Sequence, residues 1–159
     1  MKVRVGFGFD VHQLREGRPC ILGGIEIEHH KGPLGHSDAD VLIHAICDAL
    51  LGAANLRDIG FHFPDTAAEF KSVDSKILLK KVVELVRSKG YLIGNIDTTL
   101  VLELPKINPH IERMRKTLGE VMGLDEEDIS IKATTNEKLG FIGREEGVTA
   151  YAVAVITRE

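Results

Sequence analysis

The sequence predicts an α+β domain in which a sheet is covered by helices, and three observations carry that expectation. Both ends of the chain alternate like strands, Met1 to His12 at the start and Asp128 to Thr135 and Val148 to Thr157 at the finish. Between them, three stretches repeat apolar residues at helical spacing. No internal repeat, low-complexity tract or long linker interrupts the 159 residues, so 1–159 is read as one domain. At 43% hydrophobic and 28% charged, the composition is that of a globule able to bury its own core, which excludes disorder.

In the first strand, Val3, Val5, Phe7, Phe9 and Val11 alternate with Arg4, Gly6, Gly8, Asp10 and His12. Asp10 and His12 therefore share a face, and the two glycines before them permit close approach of another backbone or of a ligand. Cys20 to His30 reads as a small hairpin around Gly23-Gly24, closed by a turn at Gly32-Pro33. Ser37 followed by Asp40 is a capping-box pattern that predicts a helix running from Ser37 to Ala53. On that helix His36, Asp40, His44 and Asp48 recur every fourth residue along one face. A helix otherwise surrounded by core should not present four ionisable groups unless they are paired, liganded or lining a cavity.

Arg57 to Asp65 is a loop too aromatic for simple exposure, and polar Thr66 to Ser75 is either a connector or a lid. Ile77, Leu78, Val82, Leu85 and Val86 predict a core-packing helix that ends at Gly90. Tyr91 to Glu103 reads as a strand with Ile96, Thr98, Leu100 and Leu102 on one side. Asn108 and Pro109 form a cap-and-N1 pair, and Ile111, Met114, Leu118, Val121 and Met122 supply a buried stripe as far as Gly123. Asn136 to Phe141 is a loop or short helical turn between the closing strands.

A formal net charge of −4 gives no bulk attraction to nucleic acid or to anionic membrane, so an anionic ligand would need a local device. Cys20 and Cys47 show no paired spacing, no targeting pattern precedes the first strand, and no apolar run reaches membrane-spanning length; a reduced, cytoplasmic protein is expected.

Two constellations can carry chemistry. Asp10 and His12 from a strand with His44 from a helix make up the three-ligand set of a catalytic zinc, although a structural Asp–His hydrogen bond uses the same residues, and His36 and Asp40 compete for the ligand role. Lys132 to Phe141, with hydroxyls at a strand end and Glu137 two residues on, makes either a cradle for phosphate and a divalent cation or a junction capped by Thr135. Asp58 and Asp65 can each fix a polyol hydroxyl or form an Asx-turn. There is no Walker lysine motif and no GxGxxG.

The chain closely resembles the 2-C-methyl-D-erythritol 2,4-cyclodiphosphate synthase family of the non-mevalonate isoprenoid pathway. Matching motifs run in family order: Gly8 to His12, His36 to Val41, Asp48 to Ala53, Asp58-Ile59-Gly60, Phe63-Pro64-Asp65, Pro105-Lys106, Lys132 to Thr135 and Glu137 to Phe141. The resemblance implies a mixed sheet of the Bacillus chorismate mutase-like fold and a homotrimer with active sites between subunits. It implies zinc on Asp10, His12 and His44, and magnesium or manganese on Glu137. The methylerythritol part would be held by Asp58 and Gly60, helped by His36, Ser37 and Asp65, with Ile59 and Phe63 also touching substrate and Asp48 either touching it or orienting an imidazole. Leu102, Pro105, Lys106, Ala133, Thr134 and Thr135 would line the cytidine and phosphate pocket, with Thr135 also catalytic. Phe9, Phe141, Arg144 and Glu146 match positions lining an axial cavity for an isoprenoid diphosphate. Phe7 replaces a common histidine and Asn136 a common threonine; strand alternation turns Phe7 away from Asp10.

The implied reaction closes a ring and releases CMP. The same ligands would serve a metal-dependent phosphohydrolase that activates water, and an isoprenoid-diphosphate binding module without catalysis would need none of them.

Overall fold

A computed structural model describes all residues, Met1–Glu159. Strand β1 (Lys2–Glu16) is followed by the hairpin β2 (Cys20–Leu22) and β3 (Ile25–Ile27), then β4 (Lys31–Leu34), helices α1 (Val41–Ala53), α2 (Ile59–His62) and α3 (Ser75–Ser88), strand β5 (Leu92–Val101), α4 (Ile111–Met122), β6 (Ile129–Thr134), α5 (Gly140–Gly143) and β7 (Gly147–Arg158). The main sheet runs β4-β1-β7-β5-β6 and is mixed, because β5 and β6 are parallel and every other pairing is antiparallel. The expected α+β class is observed. No helix is long and apolar enough to cross a membrane.

Helix α1 lies against the middle of the sheet because that part of the sheet has almost no side chains. Gly6 and Gly8 on β1 pair with Ala154 and Ala152 on β7, and a Cβ at Gly6 or Gly8 would fall 1.8 Å from the Ala49 carbonyl oxygen or 1.9 Å from that of Ala45. Ala45 and Ala49 are one helical turn apart, so the small-residue faces of helix and sheet mate at backbone distance. The glycine freedom anticipated from the sequence serves packing. Asp10 and His12 continue the same β1 face toward the N-terminal turn of α1, where His44 precedes Ala45.

The opposite sheet face is open. Val3, Val5, Phe7, Phe9 and Val11 are all exposed there, as are Tyr151 and Val153 on β7, and the Phe9 and Tyr151 rings lie 5.2 Å apart. Helix α3 packs on α1, and α4 on α3 and β6, closing the core from the other side.

Five local expectations change. Helix α1 begins at Val41, not Ser37, because Ala39 sits in the left-handed region at φ 60° and breaks the helix before it starts. Asp40 is the N-cap: its carboxylate accepts from Ile43 N–H and also from Gly23 and Gly24 N–H at 2.9 and 2.6 Å, pinning the hairpin to the helix start. His36 therefore lies outside the helix. Gly32-Pro33 is no turn but part of the edge strand β4, where a residue without N–H is tolerated. Asn108 and Pro109 form a 3-10 turn with no side-chain cap ahead of α4. Ile77 is half exposed, and Leu79 and Val83 fill the buried face of α3 with Leu78, Val82 and Val86. The aromatic stretch contains the one-turn helix α2, capped by Asp58 through Phe61 N–H.

Candidate metal centre and substrate cavities

Strand and helix bring Asp10, His12 and His44 together. Asp10 Oδ2 lies 3.0 Å from His12 Nε2 and 3.0 Å from His44 Nδ1, and the two imidazole nitrogens are 3.3 Å apart. Ligands at zinc distances of ~2.0–2.1 Å in a tetrahedron stand roughly 3.3 Å from one another, so the triangle has the size zinc requires. Of the competing candidates, Asp40 is occupied by backbone N–H groups, and the His36 ring donates from Nε2 to the Ala67 carbonyl at 3.3 Å.

The outer nitrogen of each imidazole is already engaged. His12 Nδ1 donates to the Leu34 carbonyl at 2.9 Å. His44 Nε2 donates to Ser75 Oγ at 2.9 Å, with Ser37 Oγ also near at 3.2 Å. Ser75 Oγ in turn donates to Asp38 Oδ1, while Asp38 Oδ2 accepts from Ser75 N–H at 3.0 Å. Two neutral imidazoles so arranged turn unprotonated nitrogens toward a carboxylate, and three converging lone pairs call for a cation or a proton between them.

The proton affinities express that demand. Burial would raise the Asp10 carboxyl, but the hydrogen bonds and charges of His12 and His44 bring it down to about 2. Burial would lower His12, yet the Asp10 hydrogen bond and charge, helped by the Leu34 carbonyl, hold it above its ordinary value. The donor set thus fits a divalent metal with one coordination position left for a ligand.

A cavity of about 230 Å³ opens over the cluster and collects nine of the predicted residues: Asp10, His12, His36, Ser37, His44, Ile59, Gly60, Phe63 and Asp65. Asp48 stands behind it, where its Oδ1 accepts the Ile59 N–H at 2.7 Å and so anchors α2; it bonds no imidazole. Asp58 caps α2 and lies outside the lining. The segment after Asp65 has structure of its own and reaches the cavity wall: Phe70 lines it and packs edge-on against Phe63, and Ser72 N–H donates to the His36 carbonyl at 2.7 Å.

The second constellation forms a separate cavity of about 410 Å³, lined by Leu102, Pro105, Lys106, Ala133, Thr134 and Thr135, together with Glu103 and Ile107 to Pro109. Glu137, Phe141 and Arg144 border neither cavity. Glu137 is exposed at φ 51°, and its N–H donates to Thr135 Oγ1 at 3.4 Å, so Thr135 serves the corner as a hydroxyl acceptor. Asn136 satisfies the junction as expected, donating to the Leu139 carbonyl at 2.8 Å. Sequence reasoning missed Asp38, Ser75 and Glu103. Ser75 follows a helix-capping Asp74, and nothing local signals a partner 31 residues away.

Residues 3–157 match the model of the YgbB family. A curated relative from Bacteroides fragilis named 2-C-methyl-D-erythritol 2,4-cyclodiphosphate synthase is 70% identical, covering 99% of each chain. One of the same name from Cytophaga hutchinsonii is 68% identical, also over 99% of each chain. Among solved structures, the bifunctional IspDF of Campylobacter jejuni superposes with a TM-score of 0.95 at 42% identity, over 99% of this chain and 43% of that longer one. The CDP complex of IspF from Plasmodium falciparum gives 0.87 at 34% identity, over 99% and 97% of the two chains.

Proposed function

The chain belongs to the YgbB family, and from that membership we propose that it converts 4-diphosphocytidyl-2-C-methyl-D-erythritol 2-phosphate into 2-C-methyl-D-erythritol 2,4-cyclodiphosphate and CMP. The convergence of Asp10, His12 and His44 on one point, in a chain whose relatives of that name match it end to end, carries the reading.

The substrate supplies its own nucleophile. An oxygen of the 2-phosphate attacks the β-phosphorus, a P–O bond forms, and the bond from that phosphorus to the CMP oxygen breaks. A phosphate dianion needs no strong base, which agrees with a site built without a serine or cysteine nucleophile. The task of the protein is to hold both ends of a flexible, highly charged molecule so that ring closure becomes effectively unimolecular. Asp10, His12 and His44 would hold zinc and Glu137 would hold magnesium or manganese, ions that would supply Lewis-acid polarisation and charge neutralisation to the phosphates.

In this reading His36, Ser37, Asp58, Ile59, Gly60, Phe63 and Asp65 hold the methylerythritol unit, with Asp48 setting the Asp58–Gly60 turn from behind. Leu102, Pro105, Lys106, Ala133 and Thr134 receive the cytidine and its phosphates, and Thr135 stabilises the reacting phosphate with its hydroxyl. Family membership points to a Bacillus chorismate mutase-like homotrimer in which the two cavities, which share no lining residue within one chain, meet between neighbouring subunits. The open apolar face of β1 and β7 supports that assembly, since a stripe from Val3 to Val11 left in water would be costly. Exposed Phe9 and Phe141, with Arg144 paired to Glu146 at 3.1 Å, suit an axial cavity for an isoprenoid diphosphate. Residues 1–159 act as one cyclodiphosphate synthase domain in the cytoplasm.

The test is product analysis with the cytidyl substrate, zinc and magnesium. Equimolar CMP and cyclic diphosphate are expected, from a particle three times the 17.5 kDa chain mass. A linear product would make the protein a phosphohydrolase, and no CMP at all would leave a binding module.

A further inference from the structure

We infer that Glu103 is the positioning residue of the second cavity, gripping the Asn136–Lys138 corner so that Thr135 presents its hydroxyl to the bound diphosphate, with Glu137 held on the same corner just outside the cavity lining. The inference rests on the reading of that cavity as the cytidyl diphosphate pocket.

A carboxylate in the wall of a cavity meant for phosphates is out of place unless it does something other than touch them. The Glu103 side chain is only 3% exposed. Its Oε1 accepts two backbone N–H groups, from Asn136 at 3.1 Å and Lys138 at 3.2 Å, and its Oε2 stands 3.2 Å from Lys138 Nζ. All its partners lie on the corner that follows β6, so a buried charge at the end of β5 is spent on one loop.

That corner needs holding. Glu137 and Lys138 both occupy the left-handed region, at φ 51° and 63°, which non-glycine side chains disfavour. The N–H groups on either side of Glu137 are the ones Glu103 receives, so the carboxylate clamps the conformation from both ends. On the far side, α5 lies against the corner so closely that a Cβ at Gly143 would sit 2.0 Å from the Lys138 carbonyl carbon. The corner is therefore trapped between Glu103 and the bare backbone of Gly143. The ion pair to Lys138 contributes little in itself, since that ammonium is 74% exposed. The two N–H bonds on a single oxygen carry the effect, and a glutamine amide oxygen can accept both.

Positioning is thereby separable from direct use of the charge. The experiment compares wild type, Glu103→Ala and Glu103→Gln by calorimetric binding of CDP with magnesium, by the split of KM and kcat, by zinc content, and by hydrogen exchange over residues 135–139. Glu103→Ala is expected to weaken CDP binding and raise KM at least tenfold, to speed exchange at the corner, and to leave zinc content unchanged. Glu103→Gln is expected to stay within threefold of wild type in all four. CDP binding by Glu103→Ala within threefold of wild type would overturn the inference, and so would unchanged exchange at the corner. Equal damage in Glu103→Gln would also overturn it, because charge would then matter and not position. If the wild type binds no CDP and releases no CMP, the reading of the cavity has failed; wild-type turnover with an undisturbed Glu103→Ala is failure of the inference alone.

Discussion

The cavity over Asp10, His12 and His44 and the cavity between Leu102 and Thr135 share no lining residue, and they keep their shapes by different means. In the first, the groups held are side chains: Asp38 holds Ser75, Ser75 holds His44, and the backbone carbonyl of Leu34 holds His12. In the second, backbone groups are held by one carboxylate, Glu103, and by the pairing that links Leu102 N–H to the Thr134 carbonyl at 3.1 Å. The first arrangement suits a metal, which needs a few donor atoms aimed within tenths of an ångström. The second suits a nucleotide, which can be read along a length of main chain. The comparison implies that damage to one cavity should leave the other intact.

Removing a ligand is the most severe way to break it. His44→Ala is expected to lower CMP formation by about 10³-fold or more and to abolish stoichiometric zinc, because two donors cannot close a tetrahedral site. CMP binding by the same variant, which needs no β-phosphate contact, is expected to remain within threefold of wild type. Metal analysis beside calorimetry decides it, and loss of both properties together would show the cavities to be coupled. A milder cut goes through the support of the ligand. Ser75→Ala frees the outer nitrogen of His44 and leaves the Asp38 carboxylate without its hydroxyl donor, and a loss of ~10–100-fold in zinc affinity follows from the usual worth of such partners. Competition against a calibrated chelator measures it; unchanged affinity would mean that Ser37 Oγ, 3.2 Å from the same nitrogen, suffices.

The two cavities also differed in how far they could be read beforehand. Asp10 and His12 declare a common face because a strand repeats every two residues, and Gly6 and Gly8 declare a close approach that proves to be α1. Helical spacing sets His44 on one face with His36, Asp40 and Asp48, and the family resemblance singles it out, even though the helix starts four residues later than Ser37 suggests. That error has a simple source: Ser37 and Asp40 both have cap chemistry, and only the left-handed Ala39 decides between them. The supports were illegible. Ser75 reaches His44 across 31 residues and Glu103 reaches Asn136 across 33, and each looks locally like a helix start or a strand end. The stripe from Val3 to Val11 announces burial, but alternation does not say by what, and within the single chain nothing covers it.

The smallest effect concerns protons at the metal cluster. Asp10 is ionised at any pH above about 2, so it competes for no proton in the working range. His12 is different, because its folded pKa is raised above 6.5, chiefly by Asp10 acting against the pull of burial. In the metal-free protein its protonated form is favoured by folding: that stability is complete below the unfolded pKa and is lost as pH rises through the folded one. Zinc must displace this proton, so its affinity is expected to climb by up to about tenfold per pH unit below the His12 pKa and to level off above it. Asp10→Asn removes the charge that holds the proton, and the levelling should then begin at lower pH even though the affinity plateau falls. Zinc titrations between pH 5.5 and about 8.5 follow both curves. A breakpoint that stays in place in Asp10→Asn would mean that the Leu34 carbonyl, and not the carboxylate, keeps the proton on His12.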